Sequence, residues 1–92
     1  HSGEIKQAID IYLECLKMYK KIYHNAPHRH IAVTLSYLAK AYRDLGKFQI
    51  AIDYYLQDLQ VTKLICQDKP AQEMALTLSN LASTYKKMGE TS

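Results

Sequence analysis

Three histidines, His24, His28 and His30, stand within seven residues of one another, and imidazole nitrogens are common zinc donors. Spaced four apart, His24 and His28 would share one face of an unbroken helix. Pro27 breaks that helix between them, and no carboxylate or cysteine lies close by in the chain. The cluster is expected to be a solvated loop, without metal or cofactor. The chain also lacks a Ser-His-Asp order, a glycine-rich phosphate loop and carboxylates paired for acid–base work. The expectation is a protein that is not an enzyme. Other chemistry lies in the cations and hydroxyls. Ser36, Lys40 and Arg43 advance by four and three, so on a helix they form one stripe, and Ser79, Ser83 and Lys86 form another. Such a row suits the carboxylates or phosphates of an extended partner segment. Eight tyrosines offer a second option, stacking on the bases of single-stranded nucleic acid.

Helices must position these groups. In Ile31–Gly46 the apolar positions 31, 35, 38, 39, 42 and 45 fall on one face of a 3.6-residue period. In Phe48–Leu59 they are 48, 51, 52, 55, 56 and 59, again one face. Neither stretch alternates as a strand does. Gly46 and Gly89 are placed as left-handed helix stops, and Pro27 and Pro70 in the first turn of the helix that follows. Helices are expected at 4–23, 28–45, 48–67 and 71–88. His1 and Ser2 read as the remnant of an expression tag, and residues 3–92 as one unit without internal linkers.

Composition narrows the class. Hydrophobic residues make up 48% and charged residues 23% of the 92, ordinary for a chain that buries a modest core. No run approaches the ~18 apolar residues of a membrane span, and the opening HSGEIKQAID has no apolar leader segment. A net charge of +3 is far from the dense basic stripe that nucleic acid selects. Cys15 and Cys66 stand far apart in no CxxC pattern, which fits reduced thiols in a cytoplasmic protein.

The chain also repeats itself. Shifted by 43, Ala8–Gly46 falls on Ala51–Gly89 with 17 identities in 39 positions and no gap. AIDIYL at 8–13 meets AIDYYL at 51–56, and LSYLAKAY at 35–42 meets LSNLASTY at 78–85. A constant offset of this size marks a repeat array, with each unit burying its apolar face on its neighbours. The fold class expected is all-α, an α-solenoid of four helices in antiparallel pairs.

Two copies of LxxLAxxY, each with a copy of AxxxY, give the chain a resemblance to the tetratricopeptide repeat family. Leu35 and Leu78 stand in that family's Trp slot, Ala39 and Ala82 in its small-residue slot, and Tyr42 and Tyr85 match its Tyr. Ala8 and Ala51 match the Ala of the second helix, with Tyr12 and Tyr55 in its Phe slot. The period of 43 exceeds the usual 34 by nine residues, about two and a half helical turns. That long-helix form is similar to the repeats of kinesin light chains and spindle-orientation adaptors, and also to those of bacterial regulators. In the family's order of helix A then helix B, this chain reads B, A, B, A.

The resemblance implies a superhelix whose A helices line a concave face that holds a partner peptide. The partner-facing candidates are then Ser36, Tyr37, Lys40 and Arg43 on the first A helix and Ser79, Asn80, Ser83 and Lys86 on the second. They are basic and hydroxyl-rich, so the partner expected is an acidic or phosphorylated segment. The alternative is a helical repeat that binds single-stranded nucleic acid, against which the low net charge weighs. Neither end looks capped. Ile5, Ile9, Leu13 and Leu16 on the first helix, and Leu78, Leu81 and Tyr85 on the last, imply a piece of a longer array and self-association.

Overall fold

The computed structural model describes residues 2–67, 69 and 71–91. It contains four helices, α1 (Ser2–Ile22), α2 (Arg29–Asp44), α3 (Phe48–Cys66) and α4 (Gln72–Thr91). α1 packs on α2, α2 on α3, and α3 on α4, the sequential stacking of a solenoid. The expected bounds hold to within one or two residues, except that α4 runs three residues past its expected end.

The turn between α2 and α3 passes through one glycine in the left-handed region. Gly46 has φ +79°, a conformation that costs a residue with a Cβ. There the Lys47 N–H donates to the Tyr42 carbonyl at 2.9 Å and the Gly46 N–H to the Arg43 carbonyl at 2.9 Å. These two bonds satisfy carbonyls that the last turn of α2 would leave open. α1 ends in the same way without glycine. His24 and Asn25 take φ +53° and +61°, and the Asn25 N–H reaches the Lys20 carbonyl at 2.9 Å.

Gly89 does not repeat Gly46. It lies inside α4, which continues to Thr91. Glycine permits a left-handed turn but does not impose one. Where half-buried Phe48 begins the returning helix after Gly46, the second copy has exposed Thr91. Its hydroxyl donates back to the Met88 and Lys87 carbonyls at 3.1 and 3.3 Å. Pro27 also departs from expectation. It precedes the N-cap residue His28 instead of entering the first turn. Pro70 lies outside the described residues.

The core is built where the period says. Leu35, Leu38, Ala39, Ala51, Ile52 and Tyr55 are each at most 2% exposed. Ile9 and Leu16 of α1 join Ile31, Leu35, Leu38 and Ala41 of α2 in one cluster, and Ala39, Ile52, Tyr55 and Leu81 form a second across α2, α3 and α4. Leu56, expected in the core, is exposed, because it falls on the outer edge of the α3 face. On α1, Ile5, Ile9 and Leu16 pack inward against α2 and do not form an open end. The uncovered apolar side chains there are Ile11, Leu13, Met18 and Ile22.

Candidate functional site

α2 and α4 lie on the same side of α3, and a cleft of about 420 Å³ opens between them. Ala32, Val33, Ser36 and Tyr37 of α2 form one wall, and Glu73, Leu76 and Thr77 of α4 form the other. The floor is α3, through Asp58, Thr62, Ile65 and Cys66. Val33, Ile65 and Leu76 are exposed apolar side chains, so the cleft offers greasy walls to solvent. At its rim Arg29 Nη2 stands 3.9 Å from Glu73 Oε1 and ties the two A-type helices together. Both groups are exposed, so this pair contributes well under about 1 kcal/mol.

Asp58 is the chemically distinctive group in the cleft. It is 3% exposed, on the buried face of α3. The Thr62 hydroxyl donates to Oδ1 at 3.1 Å from one turn along, and the Thr77 hydroxyl donates to Oδ2 at 3.0 Å from α4. Burial pushes the Asp58 carboxyl above the ordinary carboxylate range, while the hydrogen bonds from Thr77 and Thr62 pull it back down. Thr77 also lies 3.0 Å from the Glu73 carbonyl. Its single proton serves one of these two acceptors at a time. Sequence reasoning missed Asp58. The available signal was an acidic residue three after Tyr55 and four before Thr62, inside the apolar stripe of α3. Its partner in the other copy is Cys15.

Ser36 and Tyr37 line the cleft. Lys40 and Arg43 lie further along α2, Lys40 exposed and Arg43 half-buried. On α4, Ser79, Ser83 and Lys86 are exposed and Asn80 is half-buried, its carbonyl accepting from the Thr84 hydroxyl at 2.8 Å. The structure thus brings Ser36 and Tyr37 into the cleft wall, and it sets the other six beyond that wall on the same two helices.

The tyrosines divide by burial. Tyr85, on the α4 end that does not look capped in the sequence, is 48% exposed. Tyr54, Tyr19 and Tyr23 are half-buried against the core. Tyr54 stacks on Tyr42 at 5.6 Å, and Tyr37 stacks on Tyr12 at 5.4 Å. Of the eight tyrosines only Tyr37 and Tyr85 are exposed, a thin platform for base stacking.

The histidines have local work. His28 is the N-cap of α2, its Nδ1 accepting from the His30 N–H at 3.0 Å, and its ring stacks on Tyr23 at 3.7 Å. His30 Nδ1 is 2.9 Å from the Tyr23 hydroxyl. Among the described residues no three His, Cys, Asp or Glu groups are placed to hold a metal ion, and no helix is long and apolar enough to cross a membrane. In comparison with known proteins, a family model described as tetratricopeptide repeat matches residues 1–63, which span α1, α2 and most of α3. No curated protein and no solved structure matches the chain.

Proposed function

The chain belongs to the tetratricopeptide repeat family, whose members generally mediate protein–protein interactions, and we propose that it acts as a non-catalytic cytoplasmic scaffold that holds an extended, acidic segment of a partner protein against α2 and α4. The observation that carries this reading is the solvent-open cleft between these two helices. Its exposed walls, Val33 and Leu76, suit one apolar side chain of the partner. Ser36, Tyr37, Lys40 and Arg43 on α2, with Ser79, Asn80, Ser83 and Lys86 on α4, supply hydroxyls, amide and cations for the flanking acidic groups. The cations are largely exposed, so each pair contributes about 0.2–1 kcal/mol and binding falls with salt. A second protein partner of the same chain is another copy of itself, engaged through α1 and α4.

The test of the peptide reading is fluorescence anisotropy with synthetic extended peptides that carry one leucine. One set is flanked by glutamate or phosphoserine and the other by lysine. Binding of the acidic set on the order of tens of micromolar, weakened by salt and lost in a Lys40→Glu, Lys86→Glu double variant, supports the reading. Equal binding of the lysine set, or an unchanged double variant, overturns it.

A further inference from the structure

We propose that the cleft between α2 and α4 also takes a small aliphatic amine, with its ammonium on Asp58 and its alkyl chain against Val33, Ile65 and Leu76. Such a ligand is a free molecule and needs no partner segment across the helices.

The cleft differs in charge from the chain around it. The chain carries +3, whereas the charged residues lining the cleft are Asp58, Glu73 and Arg29, two acids and one base. Arg29 stands at the rim, 3.9 Å from Glu73. Among the described lining residues Asp58 is thus left without a countercharge. It is 3% exposed, yet it borders the open space of the cleft floor. Only the Thr77 and Thr62 hydroxyls offset the cost of its burial, and a carboxylate taken out of water without a cation is costly.

Packing alone does not ask for that charge. The α1–α2 contact is the same contact one repeat earlier, and it is built without the acid. Cys15 stands in the place of Asp58, Tyr19 in that of Thr62, and Thr34 in that of Thr77. The buried Thr34 hydroxyl donates to the His30 carbonyl at 2.8 Å. Thr77 keeps the equivalent approach to the Glu73 carbonyl at 3.0 Å and adds the carboxylate, also at 3.0 Å. The acid is what the second contact has and the first lacks. A carboxylate carries about four lone-pair sites. The two hydroxyls occupy one on each oxygen, which leaves about two for the N–H donors of an ammonium.

The remaining walls suit an alkyl chain. Val33, Ile65 and Leu76 are exposed apolar side chains, and Tyr37 extends the α2 wall, stacked on Tyr12 at 5.4 Å. The cleft volume of about 420 Å³ lies within the range of roughly 300–1,000 Å³ typical of small-molecule sites. A single positive charge also suits the surroundings. Lys40, Arg43 and Lys86 lie further along the same two helices, and they repel a basic polypeptide more strongly than a monocation.

The test titrates the whole chain with hexylamine and with 1-hexanol, followed by amide chemical shifts in NMR. The expected result is half-saturation with hexylamine on the order of 1 mM, shifts centred on Thr62, Ile65, Leu76 and Thr77, and hexanol at least tenfold weaker. Asp58→Asn, which keeps the side chain's shape and stays folded by circular dichroism, should bring the amine down to the level of the alcohol. Equal binding of amine and alcohol by the wild type overturns the proposal. So does a preference for the amine that survives in Asp58→Asn and vanishes in Glu73→Gln, which places the cation at the rim. A third arm is an acidic peptide with lysine in place of its leucine. If hexylamine shows no preference while that peptide gains tenfold over the leucine form, the cation belongs to a partner protein and the small-ligand assignment falls. The leucine-bearing acidic peptide needs neither Asp58 nor an amine, so failure here leaves the peptide reading standing.

Discussion

The Thr77 hydroxyl of α4 lies 3.0 Å from Asp58 Oδ2 of α3, in the floor of the cleft between α2 and α4. This bond joins residues 19 apart and binds two helices through a buried, negatively charged group. Burial raises the carboxyl's proton affinity in the folded chain above that in the unfolded one. The folded state then binds protons more readily. The contribution of Asp58 to stability is fullest below the ordinary carboxylate range and is lost as pH rises through the folded value.

Asp58→Asn removes the charge and keeps the shape. Its carbonyl accepts from Thr62 and its amide donates to Thr77, which frees the Thr77 proton for the Glu73 carbonyl. The variant is expected to be more stable than the wild type at pH 7, by about 1 kcal/mol, the scale of one buried polar group. The gap closes as the pH falls toward 3. Urea denaturation at a series of pH values measures it, and a gap that widens on acidification contradicts the sign.

Gly46 and Gly89 occupy equivalent positions of the two copies and should answer the same substitution with opposite signs. Gly46→Ala forces a Cβ into φ +79°, although the space around it is open. It is expected to cost about 1 kcal/mol. Gly89 is helical and also has open space at its Cβ. Gly89→Ala is expected to gain about 0.5 kcal/mol, below the full propensity difference because the helix end frays. Thermal denaturation of the two variants gives both signs at once.

These glycines show what was legible in the sequence. The offset of 43 located four helices and the buried slots Leu35 and Ala39, because periodicity records which face a residue is suited to bury. It does not record whether a neighbour is there to cover that face, and so Leu78 and Tyr85, in the same slots of α4, stay exposed where Leu35 and Tyr42 are covered. The local signal at Gly89 was real, but the turn at Gly46 depends on α3 packing back on α2. Of the stripe Ser36, Lys40 and Arg43, only Ser36 lines the cleft, because a stripe belongs to one helix while the cleft is bounded by three. Asp58 was not legible, since a lone acid on a helix reads as solvated until α4 brings Thr77 to it.

His28 Nδ1 accepts from the His30 N–H at 3.0 Å and starts α2. His28→Ala leaves that donor without its cap and is expected to cost about 1 kcal/mol. His28→Asn restores an acceptor at the same point but not the ring stacked 3.7 Å from Tyr23. It should recover most of the loss, with a remainder of about 0.5 kcal/mol for the stack. Equilibrium unfolding of both variants decides it. Equal losses for alanine and asparagine would show that the ring stack, not the cap, holds this turn.

Val33 and Leu76 face each other across the cleft from α2 and α4 and are 38% and 61% exposed. Exposed apolar groups contribute little to folding, so Val33→Ser with Leu76→Ser is expected to change stability by less than about 0.5 kcal/mol. A bound leucine buried between them would lose apolar cover worth about 1–2 kcal/mol. Affinity for the acidic, leucine-bearing peptides should fall by roughly 5- to 30-fold. The salt dependence should persist, because Lys40, Arg43 and Lys86 are untouched. Titration calorimetry at two salt concentrations separates the terms. Loss of the salt dependence with affinity retained would mean that the cations act through the cleft walls and not beside them.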